Sequence, residues 1–401
     1  MEQFEHNLQE RLDQLHRQGL QRVLRPVQLA DGYIQCSGKR YLNLAGNDYL
    51  GLGGSRELLR KFYADLTPAT CFELYGLYGL GSGASRLMTG SHAQYHRLEE
   101  QLALLYKKDK ALVFNSGYQI NIGILPALAQ KGDLILADKL CHASLIDGMR
   151  LTRARVLRYP HLDYDRLEQL LEKYSAGQTT DGKKTIFIVT ESLFSMDGDC
   201  ADLPTLIRLK EEYGAVLYVD EAHAVGVRGK EGLGLAEEQG VIDRIELLIG
   251  TFGKAWAGQG AFVACSRIIY EYLVNTARSL IFTTGLPPVS IHWLNFLLPM
   301  IRKMSAERWQ LAALADRLRN RLRQAGLATG GESQIVPVII GDDGKAVRVA
   351  DQLQQQGFRV QAVRPPTVPH GTARLRLSVT AAMAQEQLDS LPRCIAQALS
   401  V

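Results

Sequence analysis

Reactive side chains recur where the apolar segments of this chain end. Five apolar runs have the length of buried β-strands, and each is followed at once by acidic, basic, imidazole or hydroxyl residues. These strand-end groups are Asn115-Ser116-Gly117-Tyr118, Asp138 to His142, Glu191 to Asp199, Asp220-Glu221-Ala222-His223 and Thr251-Phe252-Gly253-Lys254. Ligands of open parallel sheets bind beyond the carboxyl ends of the strands, so we expect these residues to share one site.

The residue types in these groups suit pyridoxal phosphate (PLP). This cofactor needs a lysine amine, a carboxylate beside its pyridine nitrogen and donors for its phosphate. Lys254 and Asp220 supply the first two, and the helix that Gly117 opens offers free N–H groups to a phosphate. The imidazole of His142 can cover the ring, and the hydroxyl of Ser195 can hold its phenolic oxygen. Each residue alone has an ordinary structural explanation, but their recurrence at successive strand ends favours a common site.

Other chemistries fit the sequence less well. Gly79-Leu80-Gly81-Ser82-Gly83-Ala84 matches G-x-G-x-x-A, with Glu99 20 residues on, so a nucleotide-dependent oxidoreductase is an alternative of a different class. That fingerprint requires an apolar strand immediately before it, and residues 71–78 make a poor one. Gly253-Lys254 lacks the other residues of a phosphate-binding P-loop, and the G-x-S-x-G elbow of serine hydrolases does not occur. We expect no metal, because His and Cys never cluster at zinc-ligand spacing.

Composition narrows the class of protein further. The chain has 401 residues, 46% of them apolar, and its 46 Lys and Arg against 42 Asp and Glu give a net charge of +4. This excess is too small to indicate nucleic acid or a membrane surface as the main partner. The six cysteines are scattered without a C-x-x-C pair, as in a reducing compartment, and no apolar run approaches the roughly 18–20 residues of a membrane span. The N-terminus contains acids among its leucines, unlike a signal or transit peptide, so we expect a cytoplasmic protein.

The order of elements predicts an α/β fold. After an amphipathic helix at 4–20 and a glycine-rich stretch at 46–90, helices alternate with strands that are apolar on both faces. This pattern predicts a mainly parallel sheet covered by helices on both sides. The strands are expected at 111–114, 134–138, 155–159, 185–191, 215–220, 246–250 and 260–264.

A smaller α+β region is predicted to follow the sheet. A long helix near 289–325 leads to strands at 335–340, 358–363 and 373–379. We therefore expect an N-terminal helix and arm (1–45), a large PLP-binding domain (46–285) and a small C-terminal domain (286–401).

Four motifs make the chain resemble the α-oxoamine synthases, fold-type I PLP enzymes that condense an amino acid with an acyl thioester and release carbon dioxide. They are Asn47-Asp48-Tyr49-Leu50-Gly51, Ser195–Asp199, Asp220-Glu221-Ala222-His223 and Thr251-Phe252-Gly253-Lys254. The similarity runs from about residue 22 to the C-terminus. The stretch Arg364–Pro369 followed by Gly371–Ser378 looks most like family members that join L-alanine to a pimeloyl thioester. Members that use glycine, such as glycine acetyltransferases and 5-aminolevulinate synthases, are the nearest alternative, and a catalytically inactive binding paralogue is a third.

The resemblance implies a role for each motif residue. Lys254 would bind the cofactor and then remove the substrate α-proton, Asp220 would pair with the pyridinium nitrogen, and His142 would stack on the ring beside the substrate. The other implied cofactor contacts are Ser195 and His223 at the phenolic oxygen, Gly117, Tyr118 and Thr251 at the phosphate, Glu191 near the ring, and Thr284 at the phosphate of a neighbouring subunit.

The resemblance also implies partners. Asn47 and Arg376 would hold the amino-acid carboxylate, and Arg22 and Thr367 would meet the acyl substrate. The position of Thr284 implies a homodimer with shared sites. The sequence leaves open whether the acyl group arrives on coenzyme A or on a carrier protein. The basic patch Lys107-Lys108 with Lys110 would suit either carrier, or is a solvated helix end.

Overall fold

The computed structural model describes residues 1–18, 21–30, 32–67, 80–175 and 184–400. Gly76 and Gly79 of the glycine-rich stretch lie outside these residues. The strands are β1 (Gln28–Ala30), β2 (Tyr33–Cys36), β3 (Lys39–Asn43), β4 (Lys110–Phe114), β5 (Leu134–Asp138), β6 (Arg155–Tyr159), β7 (Ile186–Glu191), β8 (Val216–Asp220), β9 (Leu247–Thr251), β10 (Ala261–Cys265), β11 (Ile335–Gly341), β12 (Phe358–Arg359), β13 (Gln361–Val363) and β14 (Ala373–Ser378).

Helices precede or follow most of these strands. They are α1 (Glu2–Arg17), α2 (Arg56–Asp65), α3 (Ala93–Leu105), α4 (Gly117–Leu128), α5 (Ala143–Leu151), α6 (Tyr164–Ser175), α7 (Leu203–Glu212), α8 (Leu235–Glu238), α9 (Arg267–Thr276), α10 (Arg278–Ile281), α11 (Pro288–Lys303), α12 (Ser305–Gln324), α13 (Asp343–Gln355), α14 (Gln385–Leu388) and α15 (Leu391–Ser400), with a π-helical turn at Arg86–Gly90 and a 3₁₀ turn at Ile242–Arg244. Within the described residues, none of these helices combines the length and the apolar character that crossing a membrane requires.

A seven-stranded sheet lies at the centre of the chain, in the order β4-β10-β9-β8-β7-β5-β6. The pairs from β9 to β6 are parallel, and β10 is antiparallel to both of its neighbours. The prediction of a mainly parallel α/β sheet is therefore confirmed. Strands β9 and β10 each begin one residue later than the sequence pattern indicates.

Both faces of this sheet are buried. Along β5, Leu134 and Leu136 join one apolar cluster, while Ile135 and Ala137 join another on the opposite face. Helices α4, α5 and α9 cover the second face, and α3, α6, α7 and α11 cover the first. Covering both faces explains why the strands are apolar without alternation.

The predicted long helix near 289–325 is wrong, because the chain forms two helices that are separated at Met304 (φ −83, ψ 42). The guanidinium of Arg308 donates to the carbonyl oxygens of Ile301 (2.7 Å) and Arg302 (3.2 Å). These carbonyls end α11 and would otherwise need the N–H groups of a continuing helix. A buried side chain from the next helix therefore caps the first one.

The predicted strand at 358–363 is also wrong as a single element. Residues of β12 pair with β3 in a sheet of order β1-β2-β3-β12, whereas β13 pairs with β14 in a sheet of order β11-β14-β13. The buried Val360 lies between the two short strands, where the chain passes from one sheet to the other. The N-terminal arm and the C-terminal region thus share a sheet, while the proposed domain boundaries stay a prediction.

Helices α4 and α5 approach each other closely beside the central sheet. A Cβ atom added at Gly148 would lie 2.4 Å from the carbonyl oxygen of Asn121, so only glycine fits there without movement. The close approach keeps the Asn121 side chain, on α4, beside the carboxyl end of β8.

We expect Gly148→Ala to push α5 away from α4 and to lower the free energy of unfolding by about 1–3 kcal/mol, the usual cost of overpacking. Urea unfolding followed by circular dichroism measures this change. Gly330→Ala is the matched control, because no atom lies within 4 Å of a Cβ added there. Equal destabilisation by the two substitutions would contradict the close-packing argument.

Candidate active site

One cavity of about 1400 Å³ brings together most of the residues that the sequence singled out. It lies beyond the carboxyl ends of β5, β7 and β8, where β13, β14 and the N-terminal arm close over them. Its lining includes Arg22, Asn47, His142, Ser195, His223, Lys254, Thr367 and Arg376. The predicted residues Gly117, Tyr118, Glu191, Asp220, Thr251 and Thr284 are not part of this lining.

Asp220, the last residue of β8, carries a buried carboxylate with one hydrogen bond to each oxygen. The Asn121 side-chain amide donates to Oδ2 (2.8 Å), and the backbone N–H of Ala222 donates to Oδ1 (2.9 Å). The Tyr218 hydroxyl donates to Oδ1 of Asn121 (2.6 Å), which fixes the orientation of this amide. Sequence reasoning missed Asn121, although an asparagine within the apolar segment Gly117–Leu128 was a signal for it.

The imidazole of His142 is fixed at the start of α5. The backbone N–H of Ser144 donates to His142 Nδ1 (3.2 Å), and the Ser144 hydroxyl lies 2.8 Å from the same nitrogen. The amide of Asn121 also donates to the Ser144 oxygen (2.9 Å), so one side chain orients both Asp220 and His142. Burial lowers the pKa of His142, which makes the ring a neutral platform on the cavity wall.

Lys254 lies close to two carboxylates, those of Asp220 and Glu191. Burial lowers the pKa of its amine to about 8, although both carboxylates oppose this change. Burial, together with the negative charge of Asp220, raises the pKa of Glu191 to about 8. A lysine in these surroundings has a substantial unprotonated fraction near neutral pH and can act as a nucleophile or base.

A second polar cluster, on the side of β14, surrounds the guanidinium of Arg376. Its Nε donates to the carbonyl oxygen of Ser195 (2.5 Å), and its Nη2 donates to Oδ1 of Asn47 and to the hydroxyl of Tyr49, both at 3.1 Å. The Tyr49 hydroxyl also lies 2.6 Å from Nδ1 of His223. The cluster places a buried guanidinium on the cavity wall. That Arg376 and Asn47 bind a substrate carboxylate stays a prediction, and Tyr49 is a member of the cluster that the sequence prediction missed.

The proposed phosphate end lies at the N-terminus of α4. A Cβ added to Gly117 would lie 3.5 Å from the Thr251 hydroxyl, so these two predicted residues adjoin. The Thr251 hydroxyl donates to the carbonyl oxygen of Gly260 (3.1 Å) and accepts from the N–H of Gly253 (3.3 Å). The N-terminus of a helix, with its free N–H groups, suits a phosphate.

Tyr118 and Thr284 lie at the outer edge of this region. Tyr118 is half exposed, and its hydroxyl donates to Asp147 (2.6 Å). Thr284 is exposed, and its carbonyl oxygen accepts a hydrogen bond from Asn115 (2.6 Å). Neither residue lines the cavity of this chain.

The loop after β7, which carries Ser195, is held by two ion pairs that the sequence prediction missed. The first joins Arg374 of β14 to Asp197. The second is a clamp in which His161 lies between Asp138 (2.9 Å) and Asp199 (2.6 Å). Burial alone would lower the pKa of His161, but the hydrogen bonds and charges of the two carboxylates raise it to about 10. The imidazolium thus ties the Ser195 loop to the end of β5.

The donor set fits PLP. The cavity presents an amine with a lowered pKa and a neutral imidazole platform. A buried carboxylate held by two donors lies near this amine, behind the cavity lining, and a helix N-terminus lies close by. These are the groups that the cofactor requires of a protein.

Comparisons with known proteins agree with this geometry. A family described as aminotransferase class I and II matches residues 39–395. An 8-amino-7-oxononanoate synthase of Chlorobaculum parvum is 50% identical over 359 residues, which cover 90% of each chain. A serine palmitoyltransferase from S. paucimobilis, solved with PLP and myriocin bound, is 27% identical with a TM-score of 0.86 and covers 98% of this chain and 96% of its own. The structure of an 8-amino-7-oxononanoate synthase of Francisella tularensis is 28% identical, with a TM-score of 0.72, and the match covers 89% of this chain and 97% of its own.

We expect His161→Gln to destabilise the protein by about 2–4 kcal/mol at low pH, because it leaves two carboxylates without their cation. The folded pKa of about 10 lies above the ordinary value of 6.5, so this stabilisation is complete below pH 6.5 and is lost as the pH rises towards 10. Urea unfolding across this range should show the difference between wild type and variant shrinking. The exposed His370→Gln is the control, and a difference independent of pH would disprove the imidazolium clamp.

The lowered pKa of Lys254 predicts how the apoprotein takes up PLP. Only the unprotonated amine reacts with an aldehyde, so the rate of PLP incorporation should rise with pH to an inflection at about 8 rather than 10.5. Stopped-flow absorbance measures the rate, and borohydride reduction with peptide mapping identifies the labelled lysine. An inflection near 10.5, or a label at another position, would overturn the assignment.

Proposed function

Because the chain belongs to the family of 8-amino-7-oxononanoate synthases, within the class I and II aminotransferases, we propose that it condenses L-alanine with a pimeloyl thioester. The products are 8-amino-7-oxononanoate, carbon dioxide and a free thiol, in biotin biosynthesis. The chain is a PLP-dependent acyltransferase. The observation that carries the proposal is that one cavity holds the Lys254 amine and the Arg376 guanidinium beside a wall suited to an acyl chain.

The amino-acid end of the reaction is assigned to residues beside the central sheet. PLP bound here supplies an electron-withdrawing ring that makes the substrate α-proton acidic. The carboxylate of Asp220 would pair with the ring nitrogen, and the imidazole of His142 would cover the ring. Lys254 would hold the cofactor until the substrate amine displaces it. Its Nζ, whose pKa burial lowers to about 8 in the protein alone, would then take the proton from the substrate α-carbon. Arg376 and Asn47 hold the substrate carboxylate and so fix the α-carbon beside this amine.

The remaining cofactor contacts are assigned to groups at the edges of the site. Ser195 and His223 would hold the phenolic oxygen. Glu191 would lie near the cofactor, because its carboxylate accepts a hydrogen bond from the backbone N–H of His142 (2.6 Å). The N-terminus of α4 at Gly117 and Tyr118, with the Thr251 hydroxyl, would hold the phosphate.

The acyl end is assigned to the wall formed by α13, β13 and the residues that follow them. Apolar side chains there include Val347, Ala350, Val363 and Pro366. A cationic group joins them, which consists of Arg22, Arg25, Arg359 and Arg364, with Asp351 as an acidic neighbour. A pimeloyl group is an apolar chain that ends in a carboxylate, so this combination of apolar and cationic residues favours it over an acetyl group. Thr367, on the same wall, would contact the acyl substrate.

We do not propose the basic patch Lys107-Lys108 with Lys110 as the binding site for the carrier of the acyl group. The ammonium of Lys108 donates to the carbonyl oxygens of Asp243 (2.9 Å) and Ile245 (2.5 Å), so it is bound within the protein. Coenzyme A and a carrier protein are both polyanionic, so the arginines of the cavity wall could bind either carrier and do not distinguish between them.

The dinucleotide alternative gains no support. In the described part of the glycine-rich stretch, residues 80–85 lead into the π-helical turn Arg86–Gly90 rather than into an α-helix. The fingerprint requires a helix N-terminus directly after the glycines, because the pyrophosphate binds there.

A homodimer with shared sites is the proposed assembly. Thr284 is exposed, and a backbone bridge joins it to Ser85. The segments that this bridge joins carry large apolar side chains that are exposed to solvent. These side chains are Leu80, Leu87, Met88 and Phe282. A cluster of this kind is typical of a protein interface, which favours a second subunit at the phosphate end of the site.

The test is to incubate the purified, PLP-loaded protein with L-alanine or glycine and with pimeloyl-CoA, a pimeloyl carrier protein or acetyl-CoA. We expect thiol release and 8-amino-7-oxononanoate, detected by mass spectrometry, with alanine and a pimeloyl thioester. A preference for glycine or for acetyl-CoA would overturn the substrate proposal. Lys254→Ala should lower kcat by at least about 10³-fold without unfolding the protein, whereas the exposed control Lys131→Ala should retain activity.

A further inference from the structure

We propose that Tyr49 is a positioning residue that fixes the tautomer of His223, so that the imidazole presents its Nε2–H to the cavity as a hydrogen-bond donor. The inference rests on the proposed function only for the identity of the hydrogen-bond acceptor. The tautomer itself is inferred from contacts within the protein.

The hydroxyl of Tyr49 is completely buried, and its polar neighbours include Arg376, Asn47 and His223. The side chain of Gln334 also forms a hydrogen bond that lowers the Tyr49 pKa, as a donor to the phenolic oxygen does. Nη2 of Arg376 lies at 3.1 Å, Oδ1 of Asn47 at 3.1 Å and Nδ1 of His223 at 2.6 Å. A guanidinium can only donate, so one lone pair of the Tyr49 oxygen accepts from Arg376. The single phenolic proton is left for either Asn47 or His223.

The distances favour His223. A separation of 2.6 Å is shorter than the usual range for an N–H···O bond, in which the imidazole would donate, and fits a bond donated by a hydroxyl. Burial raises the pKa of the Tyr49 phenol, although the positive charge of Arg376 opposes this shift, so the hydroxyl keeps its proton and can donate it in a hydrogen bond. Asn47 does not need this proton, because its Oδ1 also accepts from Nη2 of Arg376 (3.1 Å).

The charge state of His223, taken with this geometry, determines which ring nitrogen carries the proton. Burial, with the positive charges of Lys254 and Arg376, lowers the pKa of His223 well below its ordinary value, so the ring is neutral and carries one proton. If Nδ1 accepts from Tyr49, that proton is on Nε2. Within the described residues Nε2 has no hydrogen-bond partner, and His223 lines the cavity. The amide of Gln334 donates to the backbone carbonyl of His223 (2.9 Å) and helps to hold the residue in place.

The consequence is that the Nε2–H of His223 is available in the cavity to donate a hydrogen bond to an oxygen of a bound molecule. Under the proposed function this oxygen is the phenolic oxygen of PLP, and the other tautomer would place a lone pair against it. Tyr49 also contacts Arg376, the proposed binder of the substrate carboxylate. One hydroxyl therefore joins the amino-acid pocket to the cofactor contact.

The experiment is ¹⁵N NMR of the apoprotein labelled at histidine, which distinguishes protonated from unprotonated ring nitrogens. His223→Gln assigns the His223 signals by their disappearance. In the wild type we expect Nε2 protonated and Nδ1 unprotonated. In Tyr49→Phe, which removes the donor to Nδ1, we expect the signals to shift towards a mixture of tautomers.

Tyr106→Phe is the matched control, because Tyr106 is also completely buried and its hydroxyl lies outside this network. It should leave the His223 signals unchanged. A wild-type signal showing Nδ1 protonated would overturn the proposal, as would unchanged signals in Tyr49→Phe. The wild-type measurement needs only the assignment variant His223→Gln to fold and does not depend on turnover, so a failure of the substrate proposal leaves this result intact.

Discussion

A buried carboxylate at the end of β8 determines how the surrounding site must be built. An ionised carboxyl group removed from water is unstable unless hydrogen bonds and opposite charge compensate for the lost hydration. Asn121 and the N–H of Ala222 supply the hydrogen bonds to Asp220, and the Lys254 ammonium supplies charge at low pH. Burial of the neighbouring Glu191, together with the negative charge of Asp220, raises the pKa of Glu191 to about 8. Burial and this carboxylate therefore act together to raise the pKa of Glu191, whereas at Lys254 the carboxylate opposes the lowering that burial causes.

The small sheet completes the site because its middle strand carries two buried arginines on one face. Arg374 and Arg376 are two residues apart on β14, so their side chains leave the strand in the same direction. One binds Asp197 and the other binds the carbonyl oxygen of Ser195. The loop after β7 is therefore held between the two sheets, and the guanidinium proposed to bind the substrate carboxylate also helps to shape the cavity.

Much of this arrangement follows from the sequence. The apolar runs predicted the seven strands of the central sheet to within one residue. Because parallel strands bring their carboxyl ends to one edge, Lys254, His142 and Asp220 could be placed together from their positions alone. The break at Met304 could not be foreseen, because it depends on a side chain one turn into the next helix. The split at Val360 has a similar origin, since neighbouring sheets compete for one extended segment.

The residues that sequence reasoning missed are those whose partners lie far away along the chain. Asn121 and Asp220 are 99 residues apart, and Tyr49 and His223 are 174 apart. No spacing rule connects such pairs. The signals were compositional, namely an asparagine in an apolar helix and a tyrosine within the motif Asn47–Gly51.

Three histidines show how local surroundings assign different chemistry to one residue type. His161 lies between two carboxylates, which hold it as an imidazolium that serves structure. His142 and His223 lie near Lys254, where burial and positive charge keep both rings neutral. The cationic charge near the reacting atoms is therefore left to Lys254 and Arg376. Such a division suits substrates that bring carboxylates into the site, because neutral rings can donate or stack there without competing with Arg376 for the negative charge.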